Sequence, residues 1–162
     1  MRTPRRLDAD RAVEHLPQLY RAARAWSRSR EEAEDLVQET FARVLARPRL
    51  LTSGDELGYM LRALRNTLVS RRRAETRRPA SAPLVEEIAE GHRSGDDPAE
   101  AAENRELYAA IHELPDDFRD ALVAVDVVGL SYGEAARLLG VPEGTVTSRL
   151  FRARDRVAGR LQ

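Results

Sequence analysis

The sequence predicts an all-α protein: two small helical domains joined by a flexible acidic linker, the C-terminal one a helix-turn-helix. Three observations lead there. Apolar residues recur at three- and four-residue steps over most of the chain, the spacing of one helix face. Of the 162 residues, 33% are charged and 5% aromatic, a composition that suits thin-cored helical units better than a sandwich or barrel. Residues 79–98 (PASAPLVEEIAEGHRSGDDP) interrupt the pattern with Pro, Ser, Gly and acids and hold only isolated apolar side chains, as a linker does. The predicted domains are therefore 1–78 and 99–162, with 79–98 between them.

In chain order, Val13, Leu16, Leu19, Tyr20, Ala23 and Trp26 predict helix around residues 8–28. Ala33, Leu36, Val37, Thr40, Phe41, Val44 and Leu45 predict a second helix over 30–46. Pro48 and the turn-rich residues 52–55 then break the periodicity. Leu57, Met60, Leu61, Leu64 and Leu68 share a face of a third helix, which runs into Arg71, Arg72 and Arg73. Beyond the linker, helices are expected near 99–113, 116–128, 132–139 and 143–160. Ser131 and Glu134 have capping-box spacing at the start of 132–139, and Gly140 is placed to stop that helix.

Composition excludes several functions. The 27 cations equal the 27 acids, but they are unevenly spread. Residues 1–78 carry 18 arginines against 11 acids, residues 79–113 carry 2 against 9, and residues 149–162 carry 5 against 1. Two basic zones thus flank an acidic middle. Every cation is Arg, a planar fork suited to phosphate and base edges. The absence of cysteine excludes disulfides and zinc thiolates. His15, His92 and His112 lack ligand spacing, so no metal and no cofactor is expected. No apolar stretch is long enough to span a bilayer, and the Arg-rich start lacks a signal-peptide core, so the chain is expected to be cytoplasmic without membrane insertion. No nucleophile–base pair or phosphate-binding glycine loop is present; the expected set of catalytic residues is empty and the protein is not expected to be an enzyme.

The C-terminal pattern, SYGEAARLLG-VP-EGTVTSRLFRARDRV, reads as helix, short turn and longer basic helix. Ala135, Leu138 and Leu139 pack the first helix, Val141 fills the corner, and Val146 and Leu150 seat the second. That leaves Thr145, Thr147, Ser148, Arg149, Phe151 and Arg152 facing outward. These types read a major groove: Arg forks onto guanine or phosphate, hydroxyls bond either base edge, and an apolar side chain touches a thymine methyl.

The segment EEAEDLVQETFARVL (31–45) is more specific. Together with YMLRALRNTLVSRRRAE (59–75) and the region 114–154, it makes the chain resemble, over roughly residues 10–160, the bacterial RNA polymerase sigma factors of the extracytoplasmic-function (ECF) type. The resemblance implies roles. Asp35, Gln38 and Glu39, supported by Leu36, would dock on the clamp coiled coil of the polymerase β′ subunit. Arg62, Arg65, Asn66, Ser70, Arg72 and Arg73 would meet the promoter −10 element, with Asn66 at an unstacked base. An amide offers both donor and acceptor to a flipped base edge, and guanidiniums hold the strand. The loop 47–56 would be the specificity loop that forms that base's pocket. Thr145, Thr147, Ser148, Arg149, Phe151 and Arg152 would meet the −35 element, on a domain that also engages the β flap. The linker would pass through the polymerase channels. Two departures stand out: Tyr59 where the family often has Trp, and Thr147 where many relatives carry Arg or Lys.

The expected function is thus a sigma factor that directs RNA polymerase to specific promoters and assists promoter opening. The expected partners are core polymerase, promoter DNA and an anti-sigma factor. Two alternatives remain at this level: a sigma-like mimic that binds an anti-sigma factor, and a stand-alone helix-turn-helix regulator.

Overall fold

Asp8 opens the first helix, α1 (Ala9–Val13), by accepting the Arg11 backbone N–H on its side chain at 3.0 Å. The structure, a computed structural model, describes residues 3–52, 54–78 and 98–162, and side chains from residue 102 onward in the last of these. The single helix expected over 8–28 is broken. A second helix, α2, runs Leu16–Trp26 with Pro17 in its first turn. Proline has no N–H and crowds the carbonyl four residues back, so it starts a helix and cannot continue one. The break leaves Val13 and Leu16 exposed, although their periodicity places them in the core stripe.

Helix α3 (Arg30–Ala46) begins at Ser29, whose hydroxyl accepts the Glu32 N–H, while the Glu32 carboxylate accepts the Arg28 N–H at 2.7 Å. Helix α4 (Glu56–Arg77) is longer than its apolar stripe required. Between them, β2 (Leu50–Leu51) pairs antiparallel with β1 (Arg5–Arg6), a two-residue ladder inside an otherwise helical protein. Glu56, buried at the head of α4, is held by the Arg11 guanidinium and by His15 at 3.3 Å. This ties the α1–α2 corner to α4. Leu19, Trp26, Leu36, Met60, Leu61 and Leu64 fill the centre of the three long helices.

The second unit comprises α5 (Pro98–His112), α6 (Asp116–Leu122), a π-helical turn (Val123–Val127), α7 (Tyr132–Leu139) and α8 (Glu143–Leu161). The expected helix 116–128 therefore ends in a widened turn. The Val128 N–H bonds the Val123 carbonyl at 2.9 Å, an i to i+5 step, and Val123, Ala124 and Val128 all turn inward. Arg119 clasps the open end of α5: its guanidinium donates to the carbonyls of Ile111, His112 and Leu114 at 3.1, 2.5 and 2.7 Å. The His112 carbonyl is one of the acceptors a helix C-terminus leaves open. Ser131 and Glu134 form the full capping box of α7. Gly140 closes α7 in the left-handed region at φ +67°, where a Cβ would be strained. The predicted linker, save Pro98, lies outside the described residues. The two units pack together, α2 against α5 and the π turn, and α4 against α7, so one continuous apolar core runs through both.

Candidate nucleic-acid interface

The candidate residues fall on three surfaces, on α3, α4 and α8. On α3, Asp35 and Gln38 are exposed, one turn apart on the ridge that faces away from the core. Leu36 is fully buried. Its side chain points into the core, so it can support the docking residues only from beneath, by fixing the ridge above it. Glu39 is half-buried and its carboxylate is already engaged, by Arg71 at 2.5 Å and Arg43 at 2.6 Å. Arg71 also donates to the Asp35 carbonyl at 3.1 Å, which stitches α3 to α4. Glu39 thus orders local cations before it meets any partner.

On α4 the six expected residues divide between two ridges. Arg62, Asn66, Ser70 and Arg73 follow steps of four, four and three, and all four are exposed. Arg65 and Arg72 lie on the adjacent ridge, nearer the core, and are engaged. Arg65 donates through Nε and Nη2 to one oxygen of Asp120 at 3.1 and 2.7 Å. Arg72 donates to the Trp26 carbonyl at 2.9 Å. Arg62, at the head of the outer ridge, reaches the Arg137 carbonyl at 3.5 Å. In the loop before α4, the Arg49 guanidinium lies 5.8 Å from the Tyr59 ring centre, within cation–π range.

On α8, Phe151 is 73% exposed, so it does not cover a neighbouring helix. Arg152 beside it is exposed, whereas Arg149 is half-buried and meets Asp117 at 3.2 Å. The hydroxyls of Thr147 and Ser148 turn back to the carbonyls of Glu143 and Thr145 at 3.0 and 3.1 Å. Each hydroxyl then keeps lone pairs for an incoming donor while its proton is taken. Thr145 is partly buried at the start of the helix. Three more arginines of α8 serve the fold. Arg154 grips Asp126 with two bonds, Arg156 lies over Phe118 at 5.1 Å, and Arg160 meets Glu113 at 3.0 Å.

Periodicity gives no sign of Asp120 or Trp26 as site residues. Yet the Trp26 indole N–H donates to the second Asp120 oxygen at 3.0 Å. Nearby, His112 bonds the Arg24 carbonyl at 3.2 Å; a carbonyl only accepts, so Nε2 carries the proton. Burial pushes the His112 pKa below its ordinary value; the bond to Arg24 opposes this, and the Arg119 and Arg24 charges reinforce it. Trp26, Arg28, Arg72, His112, Asp116 and Arg119 line an open cleft of about 310 Å³ between the units. Among the described residues, no helix is long and apolar enough to cross a membrane.

Comparison with known proteins matches residues 12–78 to the family described as Sigma-70 region 2, and residues 104–157 to Sigma-70 region 4. The ECF RNA polymerase sigma factor SigE of Mycolicibacterium smegmatis is 36% identical over 156 residues, covering 89% of this chain; the chain spans 57% of that relative's length. The ECF RNA polymerase sigma-E factor of Haemophilus influenzae is 32% identical, over 83% of this chain and 77% of its own. EcfG of Rhodopseudomonas palustris is 34% identical, over 90% and 80%. Among solved structures, the sigma factor RpoE of Bartonella quintana, crystallised with the anti-sigma factor NepR, superposes with a TM-score of 0.66 at 25% identity, covering 92% of each chain.

Proposed function

This chain belongs to the ECF RNA polymerase sigma factors, and from that premise we propose that it directs core polymerase to specific promoters and assists strand opening. The observation that carries the reading is the pairing, within one polypeptide, of a region 2 match over 12–78 with a region 4 match over 104–157. Each supplies an exposed polar ridge of the chemistry its task requires. Asp35 and Gln38 on α3 offer an acceptor and an amide to the β′ clamp, on a ridge held rigid by Leu36 and by the Glu39–Arg71 link. Asn66, Ser70 and Arg73 on α4 offer an amide, a hydroxyl and a guanidinium along one line, a geometry that takes an unstacked base and the strand that carries it. Arg62, Arg65 and Arg72 add phosphate contacts once released from their internal partners.

On α8, Phe151 stands exposed beside Thr147 and Ser148, and Arg149 adds a fork once released from Asp117, so the helix offers an apolar contact for a thymine methyl, a fork and two hydroxyls to a major groove. Thr145 and the exposed Arg152 flank them, Arg152 toward a phosphate. Neither unit needs high affinity alone, since tethering on polymerase supplies effective concentration. The protein works in the cytoplasm, contributes no catalytic group, and is held in check by an anti-sigma partner, as the Bartonella quintana complex suggests by analogy.

Run-off transcription with purified core polymerase on a pool of genomic promoters tests the proposal. Selective initiation that depends on this chain is expected, and Asn66→Ala should impair opening more than initial binding. No selective initiation, with active core supplied, would overturn it. Binding of the free chain to a palindromic duplex would favour a stand-alone regulator, and tight anti-sigma binding without initiation would favour a mimic.

A further inference from the structure

We infer that the N-terminal strand β1 is a positioning strap for the loop that leads into α4, and that it sets how sharply that loop discriminates −10 bases. The inference rests on the assignment of α4 and this loop to promoter DNA, and adds what holds the loop in shape. β1 (Arg5–Arg6) pairs antiparallel with β2 (Leu50–Leu51), Arg5 opposite Leu51 and Arg6 opposite Leu50. Leu7 extends the ladder by donating its N–H to the Arg49 carbonyl at 3.0 Å. Leu7 is also fully buried, so its side chain pins the strand to the core.

Successive side chains of a strand point to opposite faces. Leu51 packs against the core, and Leu50 is turned outward and is 71% exposed. A slip of one residue would exchange the two. The ladder fixes the register, and with it an apolar side chain that stands out from the loop next to α4, where it can meet the flat face of an unstacked base. Arg11 carries the hold on to α4. Its guanidinium donates to the Arg6 carbonyl at 3.2 Å and pairs with Glu56 at the head of that helix. His15 meets the same carboxylate at 3.3 Å. Toward the end of the loop the Thr52 hydroxyl bonds the Asp55 carboxylate, and the Asp55 N–H donates to the Thr52 carbonyl at 2.9 Å. The loop is thus ordered before DNA arrives, so binding does not bear the entropy of ordering it.

The hydrogen bonds of the strap can be separated from its charge. In an antiparallel ladder the N–H groups face the partner strand at every second residue. Leu7 donates inward, so Arg5 does too and Arg6 does not. Arg5→Pro therefore removes a ladder bond, whereas Arg6→Pro removes an equal charge at a position whose N–H faces away from the ladder. Each full-length variant, bound to core polymerase, is given promoters randomised across the −10 or the −35 element, and the transcripts are sequenced. Arg5→Pro should lower selectivity at the −10 element about tenfold, the range of one mismatched base pair, with −35 preference and core affinity kept. Arg6→Pro should keep most of the −10 preference. If Arg5→Pro loses helicity by circular dichroism, Arg5→Gly with Arg6→Gly, which weakens the strand and removes no donor, carries the test with a smaller loss. An unchanged −10 profile, or equal losses at both elements, overturns the strap. If that happens while the parent selects promoters in the same assay, the promoter assignment stands and only the strap falls. If the parent selects none, the promoter assignment fails and the strap fails with it.

Discussion

Leu36 and Gln38 sit two residues apart on α3, and the structure gives them opposite roles. Leu36 is fully buried; Gln38 is on the outer ridge. Leu36→Ala removes three carbons, each worth about 0.8 kcal/mol of transfer free energy. It also leaves a cavity, which brings the cost to about 3–4 kcal/mol, inside the range for buried leucines. For a chain of this size that lowers Tm by about 10 °C. Asp35→Arg with Gln38→Ala touches no buried atom and should leave stability within about 0.5 kcal/mol. The assays are urea unfolding by circular dichroism and anisotropy of the labelled chain titrated with core polymerase. The surface pair should lose affinity at full stability. Leu36→Ala should lose stability and, at a temperature where it remains folded, keep most of its affinity. If Leu36→Ala abolished docking with its unfolding midpoint unchanged, the inward placement of Leu36 and the reasoning built on it would be wrong.

Two further outcomes are expected. The His112 pKa is lowered by burial, so the unfolded chain takes up the proton more readily than the folded one. Stability is then complete above about pH 6.5 and declines as pH falls below it. His112→Asn, which still donates to the Arg24 carbonyl, should flatten that decline in urea midpoints measured between about pH 7.5 and 5.5; an unchanged slope would remove His112 as the cause. On α8, Arg149→Ala should cost about 1–3 kcal/mol at one base pair and relax preference there, whereas Arg152→Ala should weaken all sequences alike. Promoter-selection experiments with each variant on polymerase separate the two, and a uniform loss for Arg149→Ala would make it a phosphate contact.

The helices that announce themselves in the sequence do so through their ends. Ser131 with Glu134 and Gly140 are local signals, and α7 begins and stops at the positions they mark. Periodicity carried through Pro17 because a stripe is blind to a missing N–H, so the break before α2 was not legible and Val13 and Leu16 were read as core. The π turn was hidden for a related reason, since a run of valines satisfies helix and widened helix alike. Site residues were legible as exposed polar ridges, as for Asn66, Ser70, Arg73, Phe151 and Arg152. What could not be read was which cations already have a partner. Arg65 with Asp120, Arg71 with Glu39, and Arg149 with Asp117 join positions 32 to 55 residues apart, and no local pattern encodes such a choice.

The internal pairing of the α8 arginines has a thermodynamic consequence. A helix binds DNA non-specifically by displacing the small ions condensed on the phosphates, one for each phosphate it neutralises. With Arg154 and Arg160 matched to acids and Arg156 laid over a ring, one or two cations remain for that exchange. The logarithm of affinity would then fall with the logarithm of salt with a slope of only about −1 to −2. Such a helix would adhere little to bulk chromosomal DNA, and the hold on a −35 element proposed for it would depend more on fit than on ionic strength.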